Sequence, residues 1–227
     1  MSGEVLNLDT PPNFRGLDPD LPITFYTQRL PHWRQSGATY FVTFRLNDSI
    51  PRDKLDLIKS LRRLWEAKNP PPQSRAAWQE YAKTVSAYVE QWLDQGSGAC
   101  HFKKKPFADE LARSLLHFQD QQYFVSCFVV MPNHCHLVIR PAVENKLEDV
   151  VGAMKGVTAR FVNEANGITG ALWQRESFDR IIRDEEHLYR VVQYIGNNPL
   201  KAGLAKHKWF RWIHPEWEKV GWGFREV

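Results

Sequence analysis

The sequence lacks a long apolar run, a recognisable secretory signal and enough cysteine for a disulfide framework. Its longest apolar stretch, around Phe128, has the length of a strand, which excludes a membrane helix of about 20 apolar residues. Residues 1–5 contain neither a basic region nor an apolar core, so we expect no signal peptide. Three cysteines (Cys100, Cys127 and Cys135) cannot all pair, which favours a cytoplasmic location.

Composition and length indicate one globular domain, or one domain that carries an insertion. Of the 227 residues, 43% are hydrophobic and 25% are charged, values that exclude a disordered or collagen-like chain. The net charge of +4 is unevenly spread, because residues 51–105 and 201–227 are basic whereas residues 106–200 are slightly acidic. Two basic segments on a protein with a pI of about 8.9 indicate an anionic partner such as nucleic acid, although basic runs are also typical of solvated surfaces.

The periodicity of the apolar residues predicts a mixed α+β protein. Strands are predicted at residues 40–46, 123–130, 134–140 and 178–183. Helices are predicted at residues 106–118, 147–164 and 184–198, and a further helix pair is predicted within residues 51–96. Pro199 is expected to end the last helix, because a proline disfavours helical geometry in the residue before it.

The order of these elements predicts a specific fold. Without the helix pair, the order is strand, helix, strand, strand, helix, strand, which is the ferredoxin-like split βαβ arrangement with a four-stranded antiparallel sheet. An inserted αα-hairpin and an extra C-terminal helix complete the prediction. The predicted divisions are an N-terminal extended arm at 1–38, a central domain at 39–204 with an accessory helical insertion at 51–96, and a basic aromatic tail at 205–227.

Two histidines flank Cys135 on the second strand of a predicted hairpin. Because side chains alternate along a strand, His134 and His136 should project from one face and Cys135 from the other. Residues two apart on a strand are about 7 Å apart, which is close enough for two imidazoles to converge on one divalent ion. Such a pair can also be incidental, so the pair alone does not establish a metal site.

A tyrosine and an asparagine lie one turn apart on the last predicted helix. Tyr194 and Asn198 are displaced from the apolar stripe of that helix, so the phenol can face a site and the amide oxygen can bind a metal. The structural alternative is a tyrosine at the edge of the helix and an asparagine that serves as a stop before Pro199.

Basic and aromatic side chains in the two basic segments and on the fourth predicted helix are candidates for nucleic-acid binding. The candidates for phosphate contacts are Lys103, Lys104, Lys105, Lys155, Arg160 and Lys201. The tail also contains Trp209, Trp212, Trp217 and Trp222, which could stack on unpaired bases or instead anchor the tail to the domain.

Five segments occur in an order that resembles a known family. They are YFVTFRL (40–46), MPNHCHLVIRP (131–141), MKGVTARF (154–161), LWQRESFDRIIRD (172–184) and YIGNNPLKAGL (194–204). Together they resemble the single-tyrosine HUH transposases, and within these the REP-associated tyrosine transposases. The resemblance covers roughly residues 39–204, which we therefore expect to be a transposase catalytic domain. Cys135 stands where the family normally has a bulky hydrophobe.

The resemblance implies a metal-dependent DNA transposase. His134 and His136 match the family's histidine pair, Tyr194 matches its nucleophile, and Asn198 matches the polar residue that completes its metal site. The implied cofactor is Mg²⁺ or Mn²⁺. The implied reaction cleaves and rejoins single-stranded, hairpin-bearing DNA through a 5′-phosphotyrosine. We expect hairpin DNA as the partner, no membrane association, and a monomer or homodimer.

Two other functions fit parts of the sequence. A catalytically retired or domesticated protein could keep the fold and bind hairpin DNA without cutting it. A zinc-stabilised RNA-binding module could use Cys100, His101, His134 and His136, although adjacent cysteine and histidine residues are poor tetrahedral ligands.

Overall fold

The computed structural model describes residues 8–28 and 30–225, so residues 1–7 of the predicted arm lie outside it. The strands are β1 (Thr24–Thr27), β2 (Pro31–Arg34), β3 (Tyr40–Arg45), β4 (Tyr123–Val130), β5 (His134–Pro141), β6 (Phe178–Ile181) and β7 (Phe210–Ile213). The helices are α1 (Arg52–Lys68), α2 (Arg75–Asp94), α3 (Lys105–Leu116), α4 (Leu147–Asn166), α5 (Glu185–Lys201) and α6 (Pro215–Lys219). Within the described residues, no helix is both long and apolar enough to cross a membrane.

The main sheet is antiparallel and has the strand order β6-β3-β5-β4-β7. Apart from the inserted helices, the central elements follow one another in the order of a split βαβ fold: β3, α3, β4, β5, α4 and β6. The first strands of the two βαβ halves, β3 and β5, pair with each other at the centre of the sheet. The predicted α+β fold class is therefore confirmed.

The prediction of four strands was wrong by one, because the tail adds β7 beside β4. Phe210–Ile213 has only four residues, too few for a periodic signal, and its pairing partner lies about 80 residues earlier in the chain. The region predicted as an extended arm also contains strands, since β1 and β2 pair as a separate two-stranded sheet.

A buried charge network joins this small sheet to the main one. Nδ1 of His32 on β2 lies 2.7 Å from a carboxylate oxygen of Asp179 on β6, and Nε2 lies 2.9 Å from Glu176. Arg34 binds the other carboxylate oxygen of Asp179. Burial disfavours the charged imidazole, but the two carboxylates outweigh this effect and raise the pKa of His32 to about 9.

The strands of the main sheet present different side chains to its two faces. Val42 and Phe44 contribute to a core against α3 and α4, whereas Phe41 between them contributes to a second core against α5. A bulge between Val125 and Cys127 changes the register of β4 against β5. The sheet is thus covered on both sides, and the α5 side is the face toward which His134 and His136 point.

Helix α5 begins as predicted and ends later than predicted. The side chain of Asp184 accepts a hydrogen bond from the backbone N–H of His187, which caps the helix. Pro199 does not end it, because the ring lies in the last turn and removes only one backbone donor. The helix continues to Lys201, and Gly203 with a φ of 64° follows in the left-handed region.

The two inserted helices pack on each other, and α2 supplies the buried side chains of this contact. None of the α1 residues is buried, whereas α2 buries Trp78, Tyr81 and Val85 against α1 and the side chains of Leu30 and Trp33. A second cluster near the end of α2 joins Trp92 and Leu93 to Ile50. The hairpin therefore contacts the N-terminal sheet at one end and the main domain at the other.

The tail folds onto the α5 face of the sheet. Trp217 and Trp222 are fully buried there, and their indole N–H groups donate to the carbonyl oxygens of Pro12 and Asp9, each at 2.8 Å. Trp209 and Trp212 are only partly buried. Trp217 and Trp222 therefore anchor the tail to the domain, which is the second of the two roles considered from the sequence.

Candidate active site

His134 and His136 lie side by side on β5, immediately after the turn that joins it to β4. Each imidazole is only 1% exposed, and their Nε2 atoms are 3.1 Å apart. Cys135 points to the opposite face and packs in the α3 and α4 core. The two histidines thus share one face of the strand, as the alternation of side chains predicts.

The Nδ1 atoms of both histidines face oxygen atoms of neighbouring side chains. Nδ1 of His134 lies 2.8 Å from Oδ1 of Asn133, and Nδ1 of His136 lies 2.7 Å from the Thr43 hydroxyl. These contacts orient both rings so that the Nε2 atoms converge. Metal-binding histidines in proteins are commonly held by a second-nitrogen contact of this kind.

Burial keeps both imidazoles uncharged. It lowers the pKa of His134 to about 3. Burial, the repulsion that a second proton on the pair would meet and the charge of Arg180 together lower the pKa of His136 well below the usual value. A neutral imidazole has a free lone pair on one ring nitrogen, which is the state that binds a metal ion. Both imidazoles therefore have a lone pair that could bind a metal ion at neutral pH.

Tyr194 on α5 reaches this pair from the same chain. Its hydroxyl lies 3.3 Å from Nε2 of His136, and its ring meets Phe41 edge-on. Burial raises the pKa of the Tyr194 phenol, the nearby charges of Glu90 and Asp94 raise it further, and Arg180 acts in the opposite direction.

Tyr189 lies five residues before Tyr194 on α5 and has different ring neighbours. Both rings pack against the core on the α5 side, but Tyr189 meets the buried Trp222 at a centroid distance of 6.1 Å, whereas Tyr194 meets Phe41 and His136. Five residues correspond to about 140° beyond one full turn, which separates the two phenols. Tyr189 is therefore the natural control for substitutions of Tyr194.

The side-chain amide of Asn198, one turn beyond Tyr194, is buried without a well-formed hydrogen bond. Asn198 is 1% exposed, and within the described residues neither Oδ1 nor Nδ2 meets hydrogen-bonding geometry, although the amide lies close enough to the Tyr194 phenol to lower the pKa of that phenol slightly. An unpaired buried amide costs about 1–3 kcal/mol, so a native protein normally supplies a partner or a ligand. The chemistry of two imidazole nitrogens and one amide oxygen fits a divalent metal ion.

The ligand set of a structural zinc site is absent from the described part of the chain. No group of three or more histidine, cysteine, aspartate and glutamate side chains there could hold a metal ion. The Cys100 thiol instead donates to the carbonyl oxygen of Gly96 at 3.1 Å. The zinc-stabilised module considered from the sequence therefore has no four-ligand site in this region.

A cleft between the end of α2 and the end of α5 contains two acidic residues, Glu90 and Asp94, that the sequence does not single out. It has a volume of about 490 Å³ and is lined by Ala87, Glu90, Gln91, Asp94, Gln95, Lys201 and Ala202. Arg180 also lies nearby on β6, with its guanidinium 5.0 Å from the centre of the Phe41 ring. Side chains alternate along β6, so Arg180 could have been placed on the side of the sheet opposite to Asp179, which is the side of the histidine pair. Glu90 and Asp94 have no comparable local signal.

The six basic residues proposed for DNA contacts do not share one environment. Lys103, Lys104, Lys105, Arg160 and Lys201 are exposed. Lys155 is 9% exposed, and its ammonium donates to the carbonyl oxygens of Gln174 and Arg175 and to the Ser177 hydroxyl. Burial lowers the pKa of Lys155 to about 8. Its three donors are used inside the protein, where they hold the segment that leads into β6.

Part of the chain matches a family model. Residues 102–198 match the model described as "Transposase IS200 like", and this range includes His134, His136, Tyr194 and Asn198. The inserted helices and the tail lie outside the matched range.

Among solved structures, a REP-associated tyrosine transposase bound to a REP hairpin is 14% identical to this chain, with a TM-score of 0.40. The alignment covers 79% of this chain and 77% of that chain. A search of curated proteins gave no match.

Proposed function

We propose that the protein is a metal-dependent DNA transposase that cuts and rejoins single-stranded, hairpin-bearing DNA through Tyr194. The observation that carries this proposal is the 3.3 Å approach of the Tyr194 hydroxyl to His136, within the segment that matches IS200-like transposases. A phenol beside two neutral imidazoles is the arrangement expected of a nucleophile next to a metal site.

The proposed metal ligands are His134, His136 and Asn198. The buried amide of Asn198 and the converging Nε2 atoms support this assignment. Two nitrogens and an oxygen suit Mn²⁺ at least as well as Mg²⁺. When bound, the ion would polarise the scissile phosphate and offset the charge that builds on its oxygens.

In the proposed reaction, the phenol oxygen of Tyr194 attacks the phosphorus of the scissile phosphodiester. The new oxygen–phosphorus bond forms as the bond to the 3′-oxygen breaks, and the proton lost by the phenol is balanced by the proton that the 3′-oxygen gains. The products are a 5′-phosphotyrosine and a free 3′-hydroxyl. Because the phosphodiester energy is conserved, another 3′-hydroxyl can reverse the step and rejoin the strand without ATP.

The surroundings of Tyr194 determine when the phenol can lose its proton. Burial and the charges of Glu90 and Asp94 raise its pKa, so the phenol is protonated at neutral pH. Arg180 is the cation that lowers this pKa, and we propose that it stabilises the developing phenolate. One chain supplies all four residues of the proposed site, so a monomer as well as a homodimer could carry out the cut.

Hairpin-bearing DNA is the proposed substrate because of the family resemblance and the exposed cations. Lys103, Lys104, Lys105 and Arg160 are exposed, and Lys201 lines the cleft with Glu90 and Asp94. Lys104 donates to Asn166 and Lys105 pairs with Asp109, but these are surface contacts that a phosphate can replace. We leave Lys155 out of this interface because its ammonium is buried as well as bound. The three cysteines are free, which suits the reducing cytoplasm where we propose that the protein acts.

Covalent capture of DNA tests the proposed function directly. Wild type, Tyr194→Phe and Tyr189→Phe are incubated with Mn²⁺ and 3′-labelled single strands that carry hairpins from DNA flanking the gene, and are then separated by denaturing electrophoresis. The label should stay on wild type and on Tyr189→Phe and be lost in Tyr194→Phe, which lacks only the hydroxyl.

The same experiment separates the alternative function. A wild-type protein that binds the hairpin tightly but never retains the label would favour the catalytically retired DNA-binding protein. A labelled band that survives in Tyr194→Phe and disappears in Tyr189→Phe would overturn the nucleophile assignment.

A further inference from the structure

Asn133 connects the inserted helices to the proposed metal site. It lies in the turn between β4 and β5 and is 1% exposed. Its Nδ2 donates to the carbonyl oxygens of Leu93 and Ser97, at 3.3 and 3.1 Å, and its Oδ1 lies 2.8 Å from Nδ1 of His134. Leu93 is in the last turn of α2, and Ser97 is in the loop that follows it.

The two carbonyl contacts determine which ring nitrogen of His134 carries the proton. Carbonyl oxygens only accept hydrogen bonds, so the group of Asn133 that faces Leu93 and Ser97 must be its NH₂. The other end is then Oδ1, which also only accepts, so Nδ1 of His134 must donate to it. Because neutral imidazole carries one proton, Nε2 of His134 is left with a free lone pair directed at His136.

Packing and a hydrogen bond fix the end of α2 and the loop after it, which carry the two carbonyl groups that Asn133 contacts. Leu93 is 1% exposed and packs with Trp92 and Ile50. The backbone N–H of Ala99 donates to the carboxylate of Asp48 at 2.7 Å, which fixes the loop after Ser97. Asn133 therefore meets carbonyl groups whose positions are set by the insertion and by the segment after β3.

We propose that Asn133 is a positioning residue through which the end of α2 keeps His134 in the tautomer that can bind a metal. This inference rests on the proposed function, in which His134 is a metal ligand. It makes the insertion a part of the site, since α2 supplies the carbonyl oxygen of Leu93. Partners that orient metal-binding histidines typically change metal affinity about 10- to 100-fold when they are removed.

The tautomer can be observed without metal and without DNA. Long-range ¹H–¹⁵N correlation spectra of the full chain at neutral pH distinguish a proton on Nδ1 from a proton on Nε2. Wild-type His134 should carry its proton on Nδ1, whereas Asn133→Ala should move it to Nε2 in part or entirely. Mn²⁺ titration should then give an affinity about 10- to 100-fold weaker for Asn133→Ala.

Two variants separate positioning from general stability. Asn163→Ala removes an amide that donates to the Gly170 carbonyl oxygen far from the site, and should change neither the tautomer nor Mn²⁺ affinity. Asn133→Asp keeps an oxygen acceptor for His134 but places a carboxylate against two carbonyl oxygens. Asn133→Asp should lower the melting temperature. The proton should stay on Nδ1 of His134, and the Mn²⁺ affinity should stay within about threefold of the wild-type value.

Retention of the Nδ1 proton and of full Mn²⁺ affinity in Asn133→Ala would overturn the inference. Loss of the Nδ1 proton in Asn133→Asp would also overturn it. That variant still offers His134 an oxygen acceptor, and the inference says that this acceptor keeps the proton on Nδ1. Neither readout depends on cleavage. A wild type that binds Mn²⁺ but never captures DNA would therefore contradict the proposed function and leave the role of Asn133 supported.

Discussion

The Tyr194 hydroxyl and Nε2 of His136 lie 3.3 Å apart, although 58 residues separate them along the chain. The contact brings a phenol of raised pKa against an imidazole that burial keeps neutral. Two helices that approach from different sides create this environment, since Tyr194 lies on α5 and Glu90 and Asp94 lie on α2.

Covalent capture should become faster as pH rises, because the attacking species is the phenolate. Neutralising both acidic neighbours in Glu90→Gln/Asp94→Asn removes charges that raise the Tyr194 pKa and should move the pH profile to lower pH. Burial, the largest cause, remains. The profile is measured from initial rates of adduct formation, with Glu80→Gln, an exposed charge on the same helix, as control. An unchanged or upward-shifted profile would contradict the assigned electrostatics.

His134→Ala and His136→Ala should each abolish covalent capture in Mg²⁺ and Mn²⁺ while hairpin affinity stays within about threefold of wild type, since phosphate contacts supply most of the affinity. Fluorescence anisotropy measures binding and denaturing electrophoresis measures capture. EDTA should reproduce both results with the wild type. Wild-type capture by either variant would show that the histidine pair is not the metal site.

Asn198→Leu should stabilise the metal-free protein and disable the site. The amide makes no well-formed hydrogen bond among the described residues, so a leucine of similar volume removes a buried penalty of about 1–3 kcal/mol. Urea unfolding in EDTA should show this gain, and Mn²⁺, which stabilises the wild type, should then have little effect. The control Asn163→Leu loses a real hydrogen bond and should show no gain. A destabilised Asn198→Leu with undiminished Mn²⁺ stabilisation would rule out Asn198 as a ligand.

Stability should fall as pH rises from about 6.5 to about 9 because His32 loses its proton in this range. The folded-state pKa is raised to about 9, so the protonated ring stabilises the fold fully below the ordinary pKa and loses that contribution as pH passes the folded-state value. The loss is up to about 3 kcal/mol. Urea titrations at each pH should show this slope in wild type and in His117→Gln, and its absence in His32→Gln.

The order of the main elements could be predicted because apolar periodicity is a local property. The stripe of α5 and the alternation of β5 each depend on a few neighbouring residues, and they placed Tyr194 and the histidine pair correctly on their elements. The strand β7 and the buried position of Lys155 depend on contacts with distant segments. No pattern near Lys155 indicates that the Gln174 and Arg175 carbonyl oxygens bind its ammonium.

The contact between the insertion and the turn before β5 could not be predicted from sequence for the same reason. The two stripes of residues 51–96 do pack on each other, which is why an accessory role was expected. The contact of Asn133 with Leu93 and Ser97 spans about 40 residues and carries no sequence signal. Replacement of the insertion by a short linker stays a test of its accessory role. The metal affinity of that variant is a more informative measurement than whether it folds.

The ties between the two ends of the chain have a consequence for protein synthesis. Trp217 and Trp222 donate to Pro12 and Asp9 across 205 and 213 residues of sequence, on the same face that Tyr194 covers. During translation the sheet and the histidine pair emerge well before the segment that closes this face. A ribosome that stops before Trp217 would release a chain with two histidines but an incomplete hydrophobic cover, so the proposed activity would require the segment that contains Trp217 and Trp222.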